Sequence, residues 1–308
     1  MSEKKYHESY LSWSGSTILE DCPLKFYHTY VARTPPSNPD NRVHMLYGET
    51  IGRLFQIFYR DQVWRSKDIV GGMNSAIKYT MKRIIMSEQR KGGVFDFKDE
   101  TLKEGSRSLQ EVYKEVVDTI PRALKTIKEH RLLGPEVATE LGLDTELEGH
   151  LIAGRADFAM DRNSPNNDRI LLDGKGSKYG GEYTDKRQVY WYAMLHREQY
   201  GSAPDKVGYL YWKLEPKEAV EWLPVTGEIL DSSKKRALTL ATSAAEGKKR
   251  CKDGEPFQEV FLAKPSSDCK LCSYRNICPT YQIYSSEDTK KAAKDSFLAG
   301  ALDGTAVF

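Results

Sequence analysis

Hydrophobic and polar positions follow two different periods along this chain, and the change comes near residue 136. Before it, apolar residues recur at three- and four-residue spacing, as on one-sided helices; after it, short segments alternate or run apolar, as strands do. Residues 12–31 (SWSGSTILEDCPLKFYHTYV) open with Ser/Gly turn chemistry and continue as an apolar-aromatic helical stretch ending near Tyr30. Pro, Asn and Asp make 33–43 a loop. Between Leu46 and Arg65, Leu46, Ile51, Leu54, Phe55 and Phe58 share a helical face. Residues 73–135 read as nearly continuous helix, with a break at Gly92 and Gly93 and a turn at Gly105. Across 136–175, EVATELGL, HLIAGRADFAMD and RILLDGK are strands joined by turns. A helix follows at 184–200, with Thr184 as its N-cap and Gly201 as its stop. VGYLYWKL at 207–214 is a further strand and 227–250 a further helix. The last twenty residues, rich in Lys, Ala, Gly and Asp, read as a weakly ordered tail at 285–308.

Composition narrows the class. A chain of 308 residues with 39% hydrophobic and 29% charged residues has the make-up of a soluble globular protein. Its length allows one elaborated domain, expected here over 1–284, or two smaller ones. Net charge is +2, so a surface for a polyanion must be a local patch. No apolar run approaches the roughly eighteen residues of a membrane span. MSEKKYHESY lacks the apolar core of a secretory signal, and the expected compartment is the cytoplasm. There are five cysteines, three of them within Cys269–Cys278; such crowding without export signals reads as metal ligation before disulfides. There is no internal repeat and no GxxxxGK[ST] loop, so any nucleotide-driven motor is another chain.

Chemistry enters with Asp157 and Asp173. GRADFAM and RILLDGK are separated by DRNSPNNDR, with a Pro-Asn-Asn tip. Paired as an antiparallel hairpin centred on Pro165, opposed residues sum to 330, so Asp157 faces Asp173. Opposed residues project to one face with Cα atoms roughly 4.5–5.5 Å apart. Strand alternation adds Lys175 to that face. Two carboxylates this close repel unless a cation lies between them. Mg²⁺ or Mn²⁺ suits oxygen ligands of this kind. Such a cation polarises a phosphate and lowers the pKa of a bound water; Lys175 would orient that water or stabilise the transition state. A one-residue slip would move one carboxylate to the other face, and the plain alternative is a solvent-facing hairpin with ordinary surface charges.

G-x-x-D followed by D-x-K after an apolar strand resembles the core of the PD-(D/E)XK nucleases, especially the RecB-like branch with its AddB-type helicase-nucleases and CRISPR-associated adaptation exonucleases. That branch carries Q-x-x-x-Y on the next helix; Gln188 and Tyr192 stand in that place, one turn apart on one face. The resemblance runs from about residue 12 to 282. It implies an α/β fold, a central mixed sheet flanked by helices, with a helical insertion at 60–135 and a cysteine-ligated iron–sulfur lobe formed by 12–31 plus 264–282. It also implies hydrolysis of DNA phosphodiester bonds. Asp157, Asp173 and the carbonyl of Gly174 would bind the metal, Lys175 would assist the nucleophile, and Gln188 and Tyr192 would position the strand. The basic residues of the insertion (Lys78, Lys82, Arg83, Arg90, Lys91) then fit either a solvated helical face or one wall of a DNA channel.

Cys269, Cys272 and Cys278 form C-x2-C-x5-C, and a fourth ligand must come from Cys22 or Cys251. By spacing alone, zinc and iron–sulfur are both open, since four thiolates serve either. The iron–sulfur members of the RecB-like branch join an N-terminal CP-x-x-FY cysteine to a C-terminal C-x2-C-x5-C. Cys22, followed by Pro23, Phe26 and Tyr27, matches that segment. The resemblance therefore implies a 4Fe–4S cluster on Cys22, Cys269, Cys272 and Cys278, with Cys251 a plain thiol. A cluster closing so long a loop would be felt in folding.

One motif departs from the branch. Its early helix usually carries G-x-x-x-H with a metal-binding histidine, whereas this chain reads Gly48-Glu49-Thr50-Ile51-Gly52. Glu49 and Gln56, about one turn on either side, are the substitutes; Glu49 is the better oxygen donor, Gln56 shares the face of position 52, and His44 is a weaker candidate. The expected activity is that of a Mg²⁺- or Mn²⁺-dependent exonuclease on single-stranded or unwound DNA ends. The alternatives are a flap or loop endonuclease, a non-catalytic DNA-binding or assembly subunit that kept fold and cluster, and a zinc-stabilised scaffold. A helicase, recombination or adaptation partner would be a separate protein.

Overall fold

The structure is a computed structural model that describes residues 9–37, 41–98, 108–161 and 169–284. The hairpin tip at 162–168, the turn at Gly105 and the tail at 285–308 lie outside the described residues. In chain order the elements are β1 (Leu11–Ser12), α1 (Trp13–Asp21), α2 (Pro23–Phe26), α3 (Val43–Arg60), α4 (Ile69–Arg90), α5 (Leu109–Glu129), β2 (Val137–Leu147), β3 (His150–Asp161), β4 (Arg169–Lys175), α6 (Arg187–Tyr200), β5 (Lys206–Tyr211), β6 (Val220–Leu223), α7 (Gly227–Lys252), α8 (Phe257–Val260) and α9 (Pro279–Tyr284). They fall into two compact units, Met1–Ser16 with Asn41–Glu246 and Thr17–Asp40 with Gly247–Phe308. Among the described residues, no helix is long and apolar enough to cross a membrane.

The first unit is built on a six-stranded mixed sheet of order β1-β3-β4-β5-β6, with β2 also on β3. β2 and β3 form a hairpin whose two loop residues, Glu148 and Gly149, both have positive φ (50° and 79°). That combination gives the tight turn whose twist matches its strands. β2 takes one edge of β3 along most of its length. The other edge is shared: β1 pairs at Ile152 and Ala153, and β4 pairs from Phe158 to Asp161. Residues 154–157 therefore lie in a gap between two partners, and Asp157 sits at its rim. β4 and β5 run parallel, while β6 closes the other edge antiparallel to β5.

Alternation along the strands assigns the two faces. Phe158, Met160, Ile170, Leu172 and Leu210 join one core with Leu46, Ile51 and Phe55 of α3, Ile77 and Ile84 of α4, and Val112, Val116 and Ile120 of α5. On the other face α6 is held to β3 by Trp191 Nε1–H donating to the Ala153 carbonyl (3.0 Å). Trp13 meets Trp191 edge-on, and Arg236 of α7 lies over both rings.

Several expected boundaries move. The helical stretch at 12–31 is broken at Cys22, which is extended (φ −160°, ψ 104°) because Pro23 disfavours a helical residue before it. β1 precedes the break, and Tyr27–Val31 continues past α2 as a π-turn. The helical stretch expected over 73–135 is two helices, α4 and α5, interrupted at Gly92 and Gly93 as expected, and 130–135 is not helical. Arg131 has φ 54° just past the end of α5. α6 starts at Arg187, so Thr184 is not its N-cap; Thr184 is extended and its hydroxyl accepts a bond from the Tyr211 hydroxyl. Gly201 does stop the helix, at φ 73°. The strand expected over 207–214 ends at Tyr211, and the short β6 was not foreseen.

The second unit collects aromatic rings from distant parts of the sequence. Tyr27 stacks on Phe257 (4.4 Å, 2°), His28 on Tyr274 (5.2 Å), and Phe26 meets Phe261 (6.1 Å). Asn276 Nδ2–H donates to the Ser37 carbonyl and the Ser37 hydroxyl to the Ser273 carbonyl.

Candidate active site

The β3–β4 ladder pairs Phe158 with Leu172, Ala159 with Leu171, Met160 with Ile170 and Asp161 with Arg169, each pair summing to 330. One step further along that register lies Asp157 beside Asp173 and Gly174. The Gly174 N–H donates to Asp157 Oδ2 (2.8 Å). A Cβ at Gly174 would lie 3.0 Å from Trp212 Nε1 and 3.4 Å from Asp157 Oδ2, so glycine is what lets this backbone approach.

Asp173, Lys175 and Gln188 close a ring of charge-assisted bonds. Lys175 Nζ donates to Asp173 Oδ2 (2.6 Å) and to Gln188 Oε1 (2.8 Å), while Gln188 Nε2 donates to Asp173 Oδ1 (2.9 Å) and to the Tyr192 hydroxyl (2.8 Å). Every polar hydrogen of the Gln188 amide has an acceptor and its oxygen faces an ammonium, so the amide has one orientation. Gln188 and Tyr192 share a face of α6. The helix can come this close because residue 154 is glycine: a Cβ there would stand 2.8 Å from the Tyr192 ring. Lys175 Nζ also lies over the Tyr209 ring (5.3 Å).

Burial sets the electrostatics. Asp173 is only 4% exposed. Burial pushes the Asp157 carboxyl up to about 7, with the Asp173 charge adding to the shift and the Gly174 N–H opposing it. Asp173 is also raised: burial outweighs its Lys175 partner. The Tyr192 hydroxyl is raised by burial and then by Asp173. Paired carboxylates that hold a proton near neutrality offer a place where a divalent cation can replace it.

Asp157 and Gly174 open onto a cavity in the first unit, lined also by Gly48, Glu49, Gly52, Arg53 and Gln56 of α3. Glu49 therefore reaches the same space as Asp157, and its carboxyl is raised by burial and by Glu88. His44 is exposed and is not among the lining residues. Gln56 lines the same cavity, where its Nε2 donates to Glu140 Oε1 (2.7 Å). Glu140 was missed in the sequence. Thr139 pairs with Phe158 and Leu141 with Ala156, which leaves Glu140 of β2 opposite Asp157 of β3. Its φ of 56° is left-handed inside a strand, and its other oxygen accepts from Arg155 (2.9 Å). Such backbone outliers gather at functional sites. No alternation rule marks Glu140, because the ladder breaks there. Among the described residues, no three His, Cys, Asp or Glu side chains stand together at metal-binding distances.

In the second unit Cys22, Cys269, Cys272 and Cys278 line one cavity, with Lys25, His28, Lys264 and Arg275; Cys251 does not. Backbone N–H groups of Ser266 and Tyr274 donate to the sulfurs of Cys269 and Cys272 (3.3 and 3.5 Å). Burial raises the Cys272 thiol, and Cys22 and Cys269 add to that.

Paired carboxylates and a lysine on neighbouring strands of a mixed α/β sheet form a site whose oxygen donors suit a divalent cation. Comparison with known proteins makes this specific. The model of the PD-(D/E)XK nuclease superfamily matches residues 10–279, and the chain belongs to that superfamily. No curated protein matches. Solved structures that match include a "Putative exonuclease" from Eubacterium rectale, 12% identical, covering 87% of this chain and 95% of that one at a TM-score of 0.46. Another is the crystal structure of SSO0001, 15% identical, covering 68% and 81% at a TM-score of 0.30.

Proposed function

We propose that this protein is a divalent-metal-dependent deoxyribonuclease that removes nucleotides from single-stranded or unwound DNA ends. The observation that carries the reading is the closed Asp173–Lys175–Gln188 ring beside Asp157, in a chain of the PD-(D/E)XK superfamily. Asp157, Asp173, Glu49, Glu140 and the Gly174 carbonyl would hold Mg²⁺ or Mn²⁺, a donor set of the hard oxygen type these ions take. Bound there, the ion supplies Lewis-acid polarisation of the phosphate and an acidified water.

The chain's own residues supply the rest. Asp173 and Gln188 fix the Lys175 ammonium beside the carboxylate pair, where it orients the attacking water and balances charge that develops on the phosphate. Gln188 locks that lysine and turns its second amide hydrogen to Tyr192, so α6 positions the strand through one rigid network. Gln56 and Arg155 hold the Glu140 carboxylate toward the cavity, which makes Gln56 a positioning residue in place of a ligand. The preference for DNA ends rests on the resemblance to the RecB-like branch.

The same reading gives the second unit a 4Fe–4S cluster on Cys22, Cys269, Cys272 and Cys278. Its support is the shared cavity, the N–H···S bonds and the cationic rim, which together suit thiolates carrying negative charge. Iron, sulfide and zinc analysis of full-length protein purified without oxygen separates the cluster from a zinc site.

The activity test uses end-labelled linear single-stranded DNA beside a closed single-stranded circle, with Mg²⁺, Mn²⁺ or chelator. Metal-dependent loss of the linear strand with the circle intact is expected. An opened circle would make the enzyme an endonuclease. Both substrates intact would favour the non-catalytic subunit, for which glycine at position 52 is the motive.

A further inference from the structure

α4 carries Lys78, Lys82, Arg83 and Arg90, and its single carboxylate, Glu88, is buried against Lys91. Lys78, Lys82 and Met86 follow one another at single helical turns and line a groove between α4 and α5, together with Leu109 and Tyr113. Among its described lining residues there is no carboxylate. The acidic side chains of the facing part of α5 are engaged: Glu111 in the capping box of Ser108, Glu115 with Lys213 (2.8 Å), and Asp118 with Lys114 (2.6 Å). Aromatic faces alternate with the cations. Lys78 lies over Tyr113 (5.6 Å), and Arg83 lies over Tyr79 and donates to its hydroxyl (3.0 Å). Tyr79 is 61% exposed, and Met86 and Leu109 also open to solvent.

The helix links this groove to the catalytic cavity, because Glu88 and Lys91 at its C-terminal end line that cavity with Asp157. From Lys82 to Lys91 the helix advances about 14 Å. We propose that α4 and its groove with α5 form a track for single-stranded nucleic acid, delivering the strand to the cavity at Asp157. Cations spaced for phosphates, with aromatic and thioether surfaces between them for bases, are the chemistry of sequence-tolerant strand binding. The charge is local, in keeping with a molecule of net charge +2. The inference rests on the nuclease reading above.

The test is fluorescence anisotropy of full-length protein with labelled oligothymidylates of about 6 and about 20 nucleotides, bracketing common single-strand site sizes. It is run in chelator, so that binding is read without cleavage. The Lys78→Ala/Lys82→Ala variant is compared with Lys78→Arg/Lys82→Arg, which keeps the charge and checks the fold. Each phosphate contact on a single strand contributes about 0.7 to the salt slope, and so about fivefold in affinity at 0.1 M salt. Loss of two contacts should weaken the long strand about 25-fold and lower the slope by about 1.4, with the short strand unchanged and the arginine pair close to wild type. Equal binding of the long strand by the alanine variant, while wild type cleaves DNA, would overturn the track and reassign the groove to a protein partner. Arginine losing as much as alanine would overturn it too. Wild type that neither binds nor cleaves any strand would remove the nuclease reading itself.

Discussion

Asp157→Asn should stabilise the metal-free protein at alkaline pH while disabling the site. The Asp157 carboxyl is raised from 3.8 to about 7, chiefly by burial and then by Asp173. A shift of about 3 units corresponds to about 4 kcal/mol of differential free energy. Because the folded-state value is raised, the protonated form is the one that folding favours. The penalty is absent below about pH 4, grows between 4 and 7, and is complete above 7. Asparagine removes the charge, and its carbonyl can still accept the Gly174 N–H. Its buried amide returns a cost of about 1–3 kcal/mol. The expected net gain is about 2 kcal/mol at pH 8, or about 4–8 °C in Tm. The assay is urea unfolding in chelator between pH 5 and 8.5, read as variant minus wild type so that titrating groups remote from Asp157 cancel. Adding Mn²⁺ at pH 8 should stabilise wild type and leave the variant nearly unmoved. A variant no more stable than wild type at pH 8, or a difference that does not change with pH, would refute the reasoning.

Three further outcomes follow from the same geometry. Glu140→Gln should keep the fold, because the amide is isosteric, and should weaken Mn²⁺ binding by about tenfold or more in calorimetry; unchanged affinity would place Glu140 outside the cation's reach. Gly154→Ala should cost about 1–3 kcal/mol in urea unfolding and slow cleavage, since its Cβ meets the Tyr192 ring at 2.8 Å; an unmoved midpoint would contradict that contact. Gly52→His should fold at least as well as wild type, because no atom lies within 4 Å of the new Cβ and glycine is a poor residue within a helix. It should also tighten Mn²⁺ binding, and no gain would mean that position 52 does not reach the ion.

Much of this architecture was legible because the relevant signals are local. The hairpin register followed from two apolar strands and a turn-rich spacer, since period-two alternation ties every side chain to a face once a single pair is fixed. Gln188 and Tyr192 were singled out by the resemblance to the Q-x-x-x-Y motif, and helical spacing put them on one face, where they are hydrogen-bonded. What failed was set by tertiary structure. Thr184 has the chemistry of an N-cap, yet its hydroxyl is taken by Tyr211 of a strand that follows it by more than twenty residues. Glu140 reaches the site through a left-handed residue inside a strand, which neither propensity nor alternation announces. Gln56 was expected as a substitute ligand on α3; the structure shows its bond to Glu140 of β2, a partner that no spacing along α3 could reveal. β1 is two residues long and gains its meaning only from the gap in β3.

The most direct measurement is single-turnover cleavage of a short single-stranded oligonucleotide in Mn²⁺ by wild type and by Lys175→Ala, with Mn²⁺ affinity measured on both. Lys175 is held at 2.6 Å from Asp173, and on the proposed function its ammonium acts on the reacting groups. The expected result is a loss of at least about 100-fold in rate with Mn²⁺ binding retained. Equal cleavage by the two proteins would contradict the assignment of the β3–β4 carboxylates and Lys175 as the active site.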